Sequence, residues 1–357
     1  MDDLYTARMM RVVENMKRDG ISQLIVSEPA ALSYLTGESI DQGERLTVLI
    51  LGAAHTWWVK NDLFPLKDDS LPVLTFQDGD DGMQMVADVL EEGPIGIDKT
   101  WPSHFLLELM AKKPHLQYVN GSRAVDDARA VKDSEEIRRM REASAVNDRA
   151  MTALIDWLHE GVTENEAARW LRDFYQKEGC EDVSFPPIIA FGAHGADPHH
   201  TTDDTPFSKD LPVLIDIGCK KNGYCSDMTR TYYFARDEEM ETVHNTVREA
   251  CEAAEAAVKP GIALSELDRI ARGIIEKAGY GDNFTHRLGH FIGQTDHEAG
   301  DVSFHSPIIA KPGMIFSIEP GIYLKDRFGV RIEDLVLVTE DGAEILNRVP
   351  HGWKREN

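Results

Sequence analysis

Two aspartates give the first sign of chemistry in this sequence. Asp216 and Asp227 lie in apolar stretches of LPVLIDIGCKKNGYCSDMTRTYYF, where an aspartate is disfavoured unless it has a partner. Asn222-Gly223 between them predicts a hairpin, and a separation of 11 residues then places both carboxylates on one face. Two buried carboxylates on one face repel each other unless cations lie between them. A strand aspartate taken alone is more often a turn or edge residue, so a metal site and a structural role both stay open here.

Two glutamates and several histidines follow. His286 and His290 of THRLGHFIGQTDHE are spaced as in HExxH zinc proteases, but the glutamate of that motif is missing, and the neighbouring glycines indicate a loop or strand. FSIEPGIY places Glu319 at the end of an apolar strand, and GVRIEDLVLV places Glu333 inside one, with Arg331 on the same face.

Each of these carboxylates alone is compatible with an exposed edge or with a salt bridge to Arg331. Together they are harder to explain in that way, because burying so much unpaired like charge costs several kcal/mol per ion. Four carboxylates and one imidazole suit a pair of divalent cations such as Mn²⁺, with Co²⁺, Fe²⁺ or Zn²⁺ as alternatives.

The elements that position these residues belong to the second of two predicted domains. Residues 1–130 alternate strands and helices, which indicates a small α/β domain, and they contain neither GxGxxG nor GxxxxGK[ST]. A long helix begins near residue 131, with Asp133 and Glu136 as a capping pair, and opens a second domain over residues 131–357.

A weak internal repeat lies within the second domain. GVTENEAARWLRDFYQKEG, residues 161–179, aligns without gaps on GIALSELDRIARGIIEKAG, residues 261–279. Each copy reads as a helix that opens near a polar cap, Thr163 or Ser265, and closes at a glycine. Two amphipathic helices can match by chance; the other interpretation is a duplicated α+β half, whose pairing would create a cleft.

Composition limits the partners and the compartment. The 357 residues include 38 Lys and Arg against 62 Asp and Glu, a net charge of −24 that repels nucleic acid and anionic lipid. No apolar run is long enough to span a bilayer, and the N-terminus lacks the apolar core of a signal peptide, so we expect a cytoplasmic protein that binds neither membrane nor nucleic acid. The four cysteines show no CxxC spacing, which favours reduced thiols.

This set of residues resembles the pita-bread metallopeptidase family, which includes methionine aminopeptidase, aminopeptidase P and Xaa-Pro dipeptidase (prolidase). The resemblance implies two metal ions and a fold made of a creatinase-like α/β domain followed by a duplicated α+β catalytic domain. The family's five metal ligands match, in order and with intervals of 11, 63, 29 and 14 residues, Asp216, Asp227, His290, Glu319 and Glu333.

Three further residues are implied by the resemblance. His199 in ADPHHTTDD and His297 in HFIGQTDHE match histidines that bind the substrate or the tetrahedral intermediate. Arg331 resembles an arginine that holds the carboxylates. We expect His200, beside His199, to have no direct role in catalysis. We expect three other histidines to be structural, and the first of them to lie nearest the ligands: His286, His194 and His305.

The chemistry implied is peptide hydrolysis by a water that the two metal ions share. By resemblance Asp227 and Glu333 would bridge the metals, and we expect Glu319 to be the general base. Chain length and YLTGESIDQGERL favour the prolidase branch, a homodimer that splits Xaa-Pro dipeptides. Asp41, Glu44 or Arg45 of that segment would then reach the partner's active site; a solvated charged loop is the alternative.

Two departures from the family pattern bear on the substrate. Phe291 stands where the family often has glycine, so its ring would reshape the pocket, and HEAG stands where HExP is common. An aminopeptidase P that acts on longer peptides is the nearest alternative. A lyase or creatinase-like hydrolase, or an inactive binding protein on the same fold, is less compatible with five retained ligands.

Overall fold

The computed structural model describes residues 3–68, 70–235 and 237–353, and the chain divides into two compact units, Met1–Arg129 and Ala130–Asn357. The first unit contains the strands β1 (Gln23–Val26), β2 (Thr47–Gly52), β3 (Thr56–Asn61), β4 (Val73–Phe76), β5 (Pro94–Ile97) and β6 (Gln117–Asn120). Its helices are α1 (Asp3–Arg18), α2 (Pro29–Thr36), α3 (Gly82–Asp88), α4 (Ser103–Lys112) and α5 (Ser122–Ala130). The strands form one mixed sheet in the order β4-β3-β2-β1-β5-β6.

The sheet of the first unit is covered on both faces. β1 pairs antiparallel with β2 and parallel with β5, and all four of its residues are buried. Leu24 packs on one face with Val12 of α1, while Ile25 packs on the other with Val86 of α3 and Leu109 of α4. A strand that is buried on both faces reads as a continuous apolar run. The α/β fold predicted for this part of the chain is confirmed.

The second unit consists of two similar halves, each with a helix pair followed by antiparallel strands. The first half contains α6 (Ser134–Trp157), α7 (Glu164–Lys177), β7 (Asp182–Val183), β8 (Ile188–Phe191), β9 (Val213–Ile217), β10 (Cys219–Lys221), β11 (Tyr224–Cys225) and β12 (Met228–Tyr232). The second contains α8 (Glu238–Ala257), α9 (Leu264–Lys277), β13 (Gly289–Phe291), β14 (Glu298–Val302), β15 (Ile315–Ile318), β16 (Gly321–Leu324), β17 (Phe328–Arg331), β18 (Asp334–Val338) and β19 (Ala343–Ile345). This is the duplicated α+β architecture that the sequence predicted.

Equivalent backbone contacts relate the two halves. The residue before α7, Thr163, forms a bridge with Pro206, and the residue before α9, Ala263, forms the corresponding bridge with Ile309. β8, β9 and β12 make a three-stranded sheet in the first half, and β13, β15 and β18 lie at the centre of a five-stranded sheet in the second. The internal repeat therefore marks the same structural position twice.

The predicted helix ends are confirmed with one exception. Asp133 and Glu136 form a capping box at α6, and Thr163 and Glu166 form another at α7. Ser265 was expected to cap α9, but the cap is Ala263, which makes no side-chain bond. The bridge from Ala263 to Ile309 fixes the helix start instead, so that Ser265 is already inside the helix.

Candidate metal centre

Asp216 and Asp227 are held by a hairpin that closes at Asn222 and Gly223. The two turn residues have φ of 51° and 79°, the left-handed backbone that a two-residue hairpin turn requires. The β9–β12 and β10–β11 pairings share one register, which places Asp227 opposite Gly218. Since side chains alternate along a strand, Asp216 and Asp227 project from the same face.

Glu319 and Glu333 face each other across an interruption in the second half. The β15–β18 and β16–β17 pairings also share one register, and the two glutamates lie opposite each other in the gap between them. Pro320 has no N–H to donate. Its pairing with Ile332 therefore keeps a single bond, from the Ile332 N–H to the Pro320 carbonyl at 3.4 Å, and the N–H of Glu333 donates to the carbonyl of Thr229, just inside β12, at 3.1 Å. The prediction that Glu333 lies inside a strand is therefore wrong. Glu333 lies between β17 and β18, and its backbone N–H bonds a residue of the first half.

His290 lies in β13 and directs one ring nitrogen at the carboxylates. Its backbone N–H donates to Ser317 Oγ at 3.0 Å, and Nδ1 lies 3.1 Å from the carbonyl of Phe291, to which it donates. Nε2 then carries the lone pair, 3.5 Å from Asp227 Oδ2 and 3.6 Å from Glu319 Oε1. Burial, followed by the neighbouring His297, lowers the pKa of His290 to about 3. The ring is neutral at pH 7, as a metal ligand has to be.

The carboxylates repel one another strongly in the absence of a cation. Burial first, and then Glu333 and Asp216, hold the pKa of Asp227 well above its usual range. Burial and Glu319 raise the pKa of Glu333 in the same way, and burial raises that of Glu319 to about 8. Among the described residues, Asp216 Oδ1 and Asp227 Oδ1 are buried without a hydrogen-bond partner. The set consists of carboxylate oxygens and one imidazole nitrogen, and two of its oxygens accept no hydrogen bond. Such a set fits a site for divalent cations.

Arg331 connects the two halves of the site. Its Nη2 donates to Asp216 Oδ2 at 2.6 Å and its Nη1 to the Tyr323 hydroxyl at 2.7 Å. Nε donates to Thr229 Oγ1 at 3.1 Å, and this hydroxyl donates to Glu333 Oε2 at 2.7 Å. Arg331 is buried; it fixes the carboxylate of Asp216 directly and that of Glu333 through the hydroxyl of Thr229.

The predicted substrate-binding histidines have exposed rings beside the carboxylates. The ring of His297 packs against that of His290, with centroids 3.9 Å apart and planes inclined at 52°, and both His199 and His297 line the same cavity. His200 was expected to be a bystander, but it lines this cavity too. Its Nε2 lies 2.7 Å from an oxygen of the fully buried Glu164, which fixes the orientation of the ring.

All eight predicted site residues line a single cavity of about 600 Å³ within the second unit. These residues are Asp216, Asp227, His290, Glu319, Glu333, His199, His297 and Arg331. Phe291 does not line it: the ring is buried and packs against Phe316 at 5.8 Å, so it does not reshape the pocket in the way expected from the sequence.

Other residues of interest lie outside this cavity. Asp41, Glu44 and Arg45 belong to the first unit, where Arg45 pairs with Asp78 at 2.9 Å. His305 lines a separate cavity, and His194 bonds the buried Glu164 at 2.9 Å.

Sequence reasoning missed three residues of the site. Tyr323 receives a hydrogen bond from Arg331 and lies 2.8 Å from His286 Nε2. A tyrosine in the apolar strand GIYL is the one sign that could have indicated it. Thr229 and Asp296 gave no comparable signal, although Asp296 lines the cavity and its pKa is raised to about 7 by burial and then by Asp216.

This centre agrees with what the chain as a whole resembles. Residues 138–340 match metallopeptidase family M24, and residues 8–131 match the Creatinase/Prolidase N-terminal domain. The chain belongs to metallopeptidase family M24, a family of enzymes that use divalent metal ions. In the part of the chain that the structure describes, no helix is both long and apolar enough to cross a membrane.

Three relatives show the range of similarity. A probable dipeptidase PepE of Mycobacterium tuberculosis is 34% identical over 361 residues, covering 98% of this chain and 96% of the relative. The crystal structure of a prolidase from Thermococcus sibiricus has a TM-score of 0.91 at 33% identity and covers 98% of each chain. The crystal structure of an X-Pro aminopeptidase from Thermotoga maritima has a TM-score of 0.84 at 27% identity. The match covers 97% of this chain and 99% of the aminopeptidase chain.

Proposed function

We propose that this enzyme is an Xaa-Pro dipeptidase with two divalent metal ions per subunit, Mn²⁺ being the ion that suits the donors best. The observation that carries the proposal is the convergence of four carboxylates and one imidazole on one cavity, with buried oxygens of Asp216 and Asp227 left without donors. An oxygen-rich set with one nitrogen is typical of Mn²⁺, although Co²⁺, Zn²⁺ and Fe²⁺ bind such sets as well.

Two of the proposed ligands, Asp216 and Asp227, come from the first half of the unit, and three, His290, Glu319 and Glu333, come from the second. When bound, a pair of divalent ions lowers the pKa of a shared water towards neutrality and polarises the peptide carbonyl.

The chain's own residues would handle the proton and the substrate. Glu319, at the rim of β15, is proposed to accept the proton of the attacking water and to return it to the leaving nitrogen. His199 and His297, with exposed rings in the cavity, would donate hydrogen bonds to the carbonyl oxygen as its charge develops. Arg331 would keep Asp216 and, through Thr229, Glu333 in place.

The choice of substrate rests on the relatives and on chain organisation. Relatives that cover nearly the whole chain are described as a dipeptidase and a prolidase. We propose that the first unit serves dimerisation and substrate access, and that Asp41, Glu44 or Arg45 reaches the cavity of a partner subunit in a homodimer. The substrate would then be a dipeptide with proline after the scissile bond.

The test is to remove metal with a chelator, restore Mn²⁺, Co²⁺ or Zn²⁺, and compare Ala-Pro with Ala-Pro-Ala. We expect metal-dependent release of proline from the dipeptide and little cleavage of the tripeptide. Cleavage of the tripeptide would instead identify an Xaa-Pro aminopeptidase, in line with the Thermotoga maritima structure. If two metal ions bind and neither peptide is cleaved, the metal centre stands and the proposed substrate is wrong.

A further inference from the structure

A second group of side chains that can bind a metal ion lies in the same unit as the proposed catalytic centre, but outside its cavity. It consists of Cys251 and Glu255 of α8, Asp334 at the start of β18, and His351 of the C-terminal segment after β19. One ligand atom from each of these residues lies within 4.8 Å of the other three. None of the four lines the cavity of the proposed catalytic ligands. We call this group the α8 cluster.

Three separate segments bring the α8 cluster together. Cys251 and Glu255 are one helical turn apart on the same face of α8, and the thiol donates to Glu255 Oε1 at 3.3 Å. Asp334 directly follows Glu333, and because successive side chains point in opposite directions, its carboxylate faces α8 while Glu333 faces the cavity. His351 reaches Asp334 from the C-terminal segment, with Nε2 2.5 Å from Oδ2. The cluster therefore lies behind the catalytic centre, with Cys251 and Asp334 buried.

The surroundings of His351 and Asp334 are those of metal ligands. Nδ1 of His351, the ring nitrogen not directed at Asp334, lies 3.4 Å from Glu252 Oε1. A histidine that binds a metal almost always donates from its second nitrogen to a carboxylate, a carbonyl or water in this way. Arg230 donates to Asp334 Oδ1 at 2.7 Å, which orients the carboxylate and leaves Oδ2 directed into the cluster.

The charges of the α8 cluster balance when a divalent ion is added. Arg230 supplies one positive charge and is paired with Asp334. Glu255 forms an ion pair with no residue of the described ranges, and burial followed by Asp334 raises the pKa of its carboxyl to about 9. A divalent ion and Arg230 together bring three positive charges. These match the Cys251 thiolate and the carboxylates of Glu255 and Asp334, so that no charge is left over.

We propose that the α8 cluster is a structural zinc site in which all four side chains are ligands. Zn²⁺ is the ion that suits the cluster, because structural zinc sites have four ligands drawn from thiolate, imidazole and carboxylate groups. Mn²⁺ prefers oxygen ligands, so it should fill the catalytic centre but not this site. The zinc ion would fasten the C-terminal segment to α8 and to the strand that follows Glu333. The zinc site does not depend on which peptide the enzyme cleaves.

Loading the chelator-stripped, full-length protein with Co²⁺ tests the site directly, because a thiolate ligand produces a sulfur-to-cobalt charge-transfer band in the near ultraviolet. The five proposed catalytic ligands include no cysteine, so the band separates the α8 cluster from the catalytic centre. In the wild type we expect this band together with the visible bands of tetrahedral Co²⁺. Zinc-loaded wild type should contain three Zn²⁺ per subunit, and manganese-loaded wild type two Mn²⁺.

Two substitutions in the cluster and one outside it complete the test. Cys251→Ser should lose the charge-transfer band and one of the three Zn²⁺, while it keeps both Mn²⁺. Glu255→Gln keeps the shape of the side chain and removes its charge, so it should also bind one Zn²⁺ fewer. Cys180→Ser is the matched control: Cys180 is a free cysteine of the same unit that belongs to no metal-binding group of the described residues, and its replacement should leave both readouts unchanged. Circular dichroism shows whether each variant is folded.

Two results would overturn the zinc site. A cobalt-loaded wild type without the charge-transfer band would show that the four side chains form only a hydrogen-bonded network. A band that survives Cys251→Ser would come from another cysteine. If Cys251→Ser does not fold, the Zn²⁺ content of Glu255→Gln decides the matter, and a content equal to that of the wild type refutes the site. A wild type that shows the band but cleaves neither Ala-Pro nor Ala-Pro-Ala supports the zinc site and refutes the proposed substrate alone.

Discussion

Replacement of Asn347 by alanine tests whether the C-terminal segment holds the metal centre together. Asn347 lies beyond the residues that match the M24 family, and it is 5% exposed. Its Oδ1 accepts the N–H of Leu335 at 2.7 Å, and its Nδ2 donates to the carbonyl of Asp227 at 3.1 Å. One amide therefore ties a proposed ligand of the first half to the strand that follows Glu333 in the second.

The expected loss of stability follows from the two backbone groups left behind. In Asn347→Ala the N–H of Leu335 and the carbonyl of Asp227 stay buried without their partner. Each such group costs about 1–3 kcal/mol, so the free energy of unfolding should fall by about 2–6 kcal/mol. Groups that orient a metal ligand typically change metal affinity 10- to 100-fold, so Mn²⁺ should bind more weakly by about that factor.

Urea unfolding of the metal-free protein and calorimetric titration with Mn²⁺ measure the two effects separately. Asn245→Ala is the control: this side chain lies on α8 and bonds no residue in the described ranges, so its replacement should change stability by less than about 0.5 kcal/mol. If Asn347→Ala keeps both wild-type stability and wild-type Mn²⁺ affinity, the role given to the C-terminal segment is refuted.

Two further changes test the proton chemistry. Glu319→Gln should abolish turnover while circular dichroism shows an intact fold, because the amide cannot accept the proton of the attacking water; full activity would exclude Glu319 as the base. Burial lowers the pKa of His244 to about 4, so the unfolded state takes up a proton first as the pH falls below about 6.5. The free energy of unfolding should therefore fall by up to about 3 kcal/mol on account of His244 as the pH is lowered from 6.5 to 4. Urea unfolding over this range should show a smaller decline for His244→Gln than for the wild type, and identical declines would contradict the reasoning.

Local signals in the sequence predicted much of the second unit. The capping pair at Asp133 and Glu136 and the turn at Asn222-Gly223 depend on neighbouring residues alone, and both are observed. The ligand candidates were recognisable because a carboxylate in an apolar strand is costly without a partner. Their presence in one cavity agrees with that argument.

What the sequence could not predict depends on pairing between distant segments. The start of α9 is fixed by the bridge from Ala263 to Ile309 and not by a side-chain cap. The break at Glu333 arises because its N–H bonds Thr229, about one hundred residues earlier. The parts played by Tyr323 and Asn347 likewise depend on contacts that no local pattern encodes.

The tie between Asn347 and Asp227 also sets the order in which the protein can mature during synthesis. About 120 residues separate the two, and at 5–20 residues per second the ribosome needs roughly 6 to 24 seconds to make them. His290, Glu319 and Glu333 are made 63, 92 and 106 residues after Asp227, so for most of that interval the first hairpin carries its two aspartates without the full set of partners. A complete site exists only after the last strands and the C-terminal segment have left the ribosome. We therefore expect tight metal binding only after synthesis is complete, and a chain truncated before Asn347 to lack the hydrogen bond that holds the carbonyl of Asp227.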